Sequence, residues 1–175
     1  MENTYEFFLQ LHRRFEGKRL LVVGIGNEMC GDDGLGPRLI GALQGRVGAQ
    51  LLDAGDVPEN FLGKICSLRP EVIFIVDAAD IGGEPGDIAV LETDELPGLM
   101  ALTHNPGLRL FTYFLQQETG AQILVMAVQP GGTSPGAGIS PAVQRTLNCL
   151  VGLFQYMDGD DRPSTQPCLN RSNAL

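Results

Sequence analysis

The chain has 175 residues, 43% of them hydrophobic and 19% charged, a size and balance suited to one folded domain rather than a disordered segment. With 12 basic against 21 acidic residues the net charge is −9, which argues against nucleic acid or another polyanion as partner. Four widely spaced cysteines (Cys30, Cys66, Cys149, Cys168) contain no C-x-x-C pair, so neither a disulfide framework nor a zinc knuckle is expected, and a reducing compartment is.

Met1 to Arg19 lacks an apolar run long enough for a signal peptide or membrane span, so a cytoplasmic location is expected. Phe7, Phe8, Leu11 and Phe15 fall near helical spacing, which predicts an amphipathic helix in residues 1–18, packed on the domain or on a partner. The main domain then spans 19–157. Leu20 to Val23, ending at Gly24, is the short unbroken apolar run of a strand covered on both faces. Leu35, Leu39, Ile40 and Leu43 recur at helical intervals, with Pro37 in the first turn and Gly45 at the end. Gln50 to Asp53 is a second strand. Pro58 opens a helix carrying Phe61, Ile65 and Leu68, which Pro70 ends.

Val72 to Val76 is the strongest strand of the chain and stops at Asp77. After the turn residues Gly82, Gly83, Pro85 and Gly86, Ile88 to Leu91 is a further strand, antiparallel to its neighbour. Pro106 to Gln117 is helical, Ile123 to Val128 a strand and Pro141 to Tyr156 a helix. This alternation implies an α/β fold, a mostly parallel sheet with helices on both faces. Residues 158–175 are polar, with Pro, Ser and Asn, and predict a disordered tail.

Ligands of such a sheet bind beyond the carboxyl ends of its strands. Gly24-Ile25-Gly26-Asn27 and Gly31-Asp32-Asp33-Gly34 follow the first strand, Asp77 closes the central one, and His104 stands just before a helix. For Asp32 and Asp33 the plain alternative is helix N-capping, with one capping and the other facing the cleft as a combination of both roles. A carboxylate after five apolar residues, as at Asp77, is costly to bury unless it is paired or bound to a cation. Two carboxylates and an imidazole suit a metal site with open positions, or an acid–base pair. Cys30 lies in the same loop but has no basic neighbour to stabilise a thiolate. The dinucleotide fingerprint fails because residue 29 is Met where a third glycine is required, and neither a Walker loop nor a Gly-x-Ser-x-Gly elbow occurs.

Taken in order, Gly24-Ile25-Gly26-Asn27, Gly31-Asp32-Asp33-Gly34-Leu35-Gly36-Pro37, Asp53 to Asn60, Val76 to Asp80 with Pro85-Gly86, Thr103-His104-Asn105 and Gln129-Pro130 resemble the motifs of the hydrogenase maturation endopeptidases. The resemblance implies a three-layer α/β/α sandwich. It implies an endopeptidase that removes a C-terminal extension from the large subunit of a nickel–iron hydrogenase after nickel insertion. The family's metal-contacting positions match Asp33, Asp77 and His104, the nickel being carried by the precursor and no organic cofactor being needed. Asp at position 33 is most similar to the branch serving formate-hydrogenlyase-type enzymes. The helix before Arg19 and the polar tail depart from the family pattern. Two other readings remain at this stage: a non-catalytic, nickel-sensing chaperone of the same precursor, and a nucleotide-dependent oxidoreductase. Oligomeric state is open, with a weak lean to a monomer.

Overall fold

The computed structural model describes residues 4–92 and 106–159. One sheet holds β1 (Leu20–Ile25), β2 (Gln50–Gly55), β3 (Val72–Ala78), β4 (Ile88–Glu92) and β5 (Gln122–Val128) in the order β2-β1-β3-β5-β4. Strands β2, β1, β3 and β5 are parallel, and β4 runs antiparallel along the β5 edge. The reason for that reversal is the link Ala79–Asp87, which holds no helix to carry the chain back across the sheet. β4 therefore starts where β3 ended, with Ile88 opposite Val128.

Around the sheet lie α1 (Thr4–Phe15), α2 (Leu35–Leu43), α3 (Leu62–Leu68), α4 (Pro106–Thr119) and α5 (Pro141–Met157). Side chains alternate across each strand with period two, so every strand feeds two cores. Val22, Phe74 and Met126 face α1, α2 and α5. Leu21, Ile73, Ile75 and Val125 face α3 and α4. The three-layer sandwich expected from the resemblance is the observed architecture.

Helix α1 packs on the domain itself. Its Phe15 meets the ring of Phe74 edge-on at 5.7 Å, and Phe74 meets Phe154 at 5.4 Å. At its outer end Arg14 grips Glu92 of β4 with two hydrogen bonds of 2.6 Å. The segment expected as one helix from Pro58 to Leu68 divides into a 3-10 turn, Pro58–Phe61, and α3. Arg69 ends α3 in the left-handed region (φ 49°), ahead of Pro70. β3 also runs further than its apolar residues, taking in Asp77 and Ala78. Residues 93–105, with His104, and the tail from 160 lie outside the described residues.

The seat of α2 sets the geometry at the carboxyl ends of the strands. A Cβ on Gly24 of β1 would overlap the Gly36 carbonyl, and one on Gly36 would overlap the Ile25 backbone and come within 2.8 Å of the Val76 carbonyl. The first turn of α2 thus lies backbone against backbone on β1 and β3. Gly36→Ala should lower the unfolding free energy by about 3 kcal/mol, the upper range for overpacking where backbone must move. Gly41→Ala, on the exposed side of the same helix with open space around it, should instead stabilise by about 0.5–1 kcal/mol. Urea unfolding of the two variants checks both signs.

Candidate active site

From β1 the chain passes to β2 on one side while β3 lies on the other, so the sheet changes direction between β1 and β3. In an open α/β sheet the crevice at that point receives the ligand. Two of the three residues singled out from the sequence converge there. Asp77 is the next-to-last residue of β3, in register with Ala127 of β5, and is only 6% exposed. Burial pushes its carboxyl up to about 7; the negative charge of Asp33 acts in the same direction, and a hydrogen bond from the Ala78 N–H opposes both. Asp33 enters from the loop after β1 and is half-buried. Its pKa is also raised, by burial first, against a 2.8 Å hydrogen bond from the Asn27 N–H, with the charge of Asp56 adding to the rise.

Two buried or half-buried carboxylates that repel each other form an oxygen donor set that a cation would relieve. His104, the third expected member, lies outside the described residues. Among the described residues no group of three His, Cys, Asp or Glu side chains is arranged to hold a metal.

The aspartates before α2 do not cap it. Gly34 is the N-cap and has no side-chain cap bond, because a 3-10 turn over Gly31–Gly34 separates the aspartates from the α-helix. Asp33 turns back to Asn27. Asp32 is wholly buried and accepts three backbone hydrogen bonds from the loop after β5: Gly131 N–H (2.7 Å) and Gly132 N–H (3.2 Å) on Oδ2, and Ser140 N–H (2.6 Å) on Oδ1. Backbone bonds from Gly31 to the Ala137 carbonyl and from Gly136 to the Met29 carbonyl complete the seam. The glycine at residue 26, part of the nucleotide-like Gly-Ile-Gly, adopts φ 125°, and the space a Cβ would need is taken by the Asp33 carbonyl. Protein backbone fills that turn.

Asn27, Asp56 and Gln129 were not singled out as site residues from the sequence. Asn27 binds Asp33 through its N–H, Asp56 through Nδ2 (3.0 Å) and the Met29 N–H through Oδ1 (2.9 Å). Gln129 Oε1 accepts the Ile81 N–H at 2.8 Å and so fixes the link that leaves Asp77. Their only signal in the sequence was membership of the ordered motifs; their partners are loops distant in the chain. Cys30 is half-buried, and its carbonyl accepts the Asp33 N–H. A solvent-open cavity of about 690 Å³, lined by Arg19, Arg69 and Glu71 among others, lies at the amino ends of the strands and contains neither Asp33 nor Asp77.

Residues 37–154 match the family HycI, hydrogenase maturation protease. The hydrogenase 3 maturation protease of Escherichia coli K12 is 36% identical over 138 residues, which cover 77% of this chain and 86% of that protein. The chain belongs to the hydrogenase maturation protease family. It is an endopeptidase of hydrogenase maturation, and the resemblance seen in its motifs holds down to the branch. The crystal structure of a [NiFe] hydrogenase maturation protease HycI from Thermococcus kodakarensis superimposes with a TM-score of 0.76 at 30% identity, covering 86% of this chain and 99% of that one. The solution structure of the endopeptidase HycI from Escherichia coli gives 0.70 at 26% identity, covering 88% and 99%. Among the described residues of the protease no helix is long and apolar enough to cross a membrane.

Two predictions test the carboxylates of the protease without any substrate. The folded-state pKa of Asp77, about 7, lies above the ordinary 3.8, so folding favours its neutral form. That contribution is full below about pH 4 and is lost as pH rises through 7. Asp77→Asn, which cannot ionise, should therefore gain on the native protein between pH 4 and 8, by up to about 4 kcal/mol at the upper end. Thermal melts across that range read the gap, and a gap independent of pH would contradict the burial of a titrating Asp77. Asp32→Ala would remove the wholly buried acceptor of three backbone N–H groups and should cost about 3 kcal/mol in urea unfolding.

Proposed function

We propose that this endopeptidase acts in the cytoplasm on the nickel-loaded large-subunit precursor of a nickel–iron hydrogenase and cuts off its C-terminal extension. The observation that carries this reading is the pair Asp33 and Asp77, opposed at the crevice between β1 and β3 with their charges in conflict. A resident cation is not required, because the precursor brings its own. In that reading nickel is part of the substrate, and it supplies the positive charge that lets both carboxylates ionise at one place.

His104 would complete the donor set as a neutral imidazole. The family resemblance and the chain path support it: α4 begins two residues later, at Pro106, and its other end leads directly into the start of β5, so Pro106 lies towards the carboxyl ends of the strands. Asp33, more open to water than Asp77 and oriented by the Asn27 N–H, takes a proton from the attacking water as general base. Asp77, with a pKa near neutrality in the free protein, holds charge or proton according to whether the loaded precursor is docked. Water adds to the scissile carbonyl, the peptide C–N bond breaks, and the amine leaves with the proton that Asp33 took up. The products are the trimmed subunit and a released peptide.

The test is incubation with a nickel-loaded precursor beside a nickel-free control, read by intact mass. The expected result is loss of a C-terminal peptide in the loaded sample alone. Asp33→Asn and Asp77→Asn should each slow that cleavage by about 100-fold or more, the range for removing a general base. Unchanged cleavage by Asp77→Asn would remove it from the mechanism.

A further inference from the structure

An endopeptidase must hold a polypeptide against its reacting groups, and the loops that frame Asp33 carry two exposed apolar side chains. Met29, on the loop after β1, is 71% exposed, and Val57, on the loop after β2, is 50% exposed. Scattered exposed apolar residues are ordinary on any surface. These two differ in how their loops are held.

The Met29 N–H donates to Asn27 Oδ1 at 2.9 Å, and its carbonyl accepts the Gly136 N–H at 2.7 Å. Val57 follows Asp56, which is fixed by Asn27 Nδ2 at 3.0 Å, and its carbonyl accepts the Asn60 N–H at 3.1 Å. The Gly26 N–H bonds the Gly55 carbonyl at 3.0 Å and joins the two loops by backbone as well. One side chain, Asn27, thereby sets the place of both apolar residues while its own N–H holds Asp33. Backbone clamped on two sides beneath an apolar side chain left in water is the arrangement of a preformed contact, because the entropy of ordering it is spent before binding.

We propose that Met29 and Val57 are the specificity contacts of the protease for its precursor. They would receive apolar side chains of the polypeptide segment leading to the scissile bond, with Asn27 as the positioning residue that links this docking to Asp33. The inference rests on the proposed site at Asp33 and Asp77, since it takes the precursor to lie across those loops. The occupant is polypeptide rather than a second copy of the chain, because the two residues flank the groups on which an endopeptidase must seat its substrate.

Met29→Ser and Val57→Ser should each raise KM for nickel-loaded precursor by about tenfold, the expectation for withdrawing most of one apolar burial. Their kcat should fall far less than KM rises, and their melting temperatures should match the native protein. Met29→Leu and Val57→Ile should stay within about twofold of native KM. Asn27→Ala should raise KM and lower kcat together, because it frees the apolar loops and loosens the turn that orients Asp33. Calorimetric titration of Asp77→Asn with loaded precursor should show the same tenfold loss of affinity when Met29→Ser is added. Serine variants with native KM and native affinity would overturn the inference. Native-rate cleavage by Asp77→Asn would instead overturn the site assignment, while the KM arm, measured on proteins with Asp77 intact, would still decide the docking contacts.

Discussion

The close seat of α2 on β1 and β3 is the constraint on which the site depends. Gly24 and Gly36 put no side chain of their own between the first turn of the helix and the sheet. The loop that precedes α2 is therefore drawn down over the strand ends, and Asp33 falls within electrostatic reach of Asp77. A helix held one side chain further out would lift that loop and separate the two carboxylates. Packing in one place thus creates charge opposition in another.

That opposition costs stability, and the surrounding loops are built to bear it. Asp32 converts a neighbouring acid into a structural staple: its three accepted N–H groups bind the loop after β5 to the loop after β1. Asn27 does the same between the loops after β1 and β2. Gln129 holds the link after β3. Among the described residues, the loops after β2, β3 and β5 are each secured by a side chain from another loop, so the carboxylates stand on a network of fixed backbone. Preorganisation of this kind allows a site to hold groups that would relax apart if they were free.

Much of this was legible in residue order. Unbroken apolar runs placed the strands and period-3.6 patterns placed all five described helices, because burial on both sheet faces or along a helix stripe is written directly into the apolar spacing. Asp77 stood out because a lone carboxylate closing an apolar run has no local explanation. Asp33 stood out through the motif around it. The capping role considered for Asp32 and Asp33 did not survive, since the partners that claimed Asp32 lie about a hundred residues away. Local rules consider only local partners. The same limit hid Asn27, whose side-chain bond to Asp56 spans two loops, and the splitting of the Pro58 helix, where the apolar pattern is the same for a 3-10 turn as for the helix it leads into.

Residue order alone dictated the layered α/β class and the family, because each follows from spacing and residue type along the chain. Folding was needed to decide which carboxylate braces the loops and which stands beside Asp77. Asp32 and Asp33 are adjacent and chemically identical, yet one is sealed beneath the loop after β5 and the other is left half-open beside Asp77. Their difference lies wholly in what surrounds them: three backbone donors bind the first, while burial and the Asp56 charge outweigh the one donor offered to the second and raise its pKa.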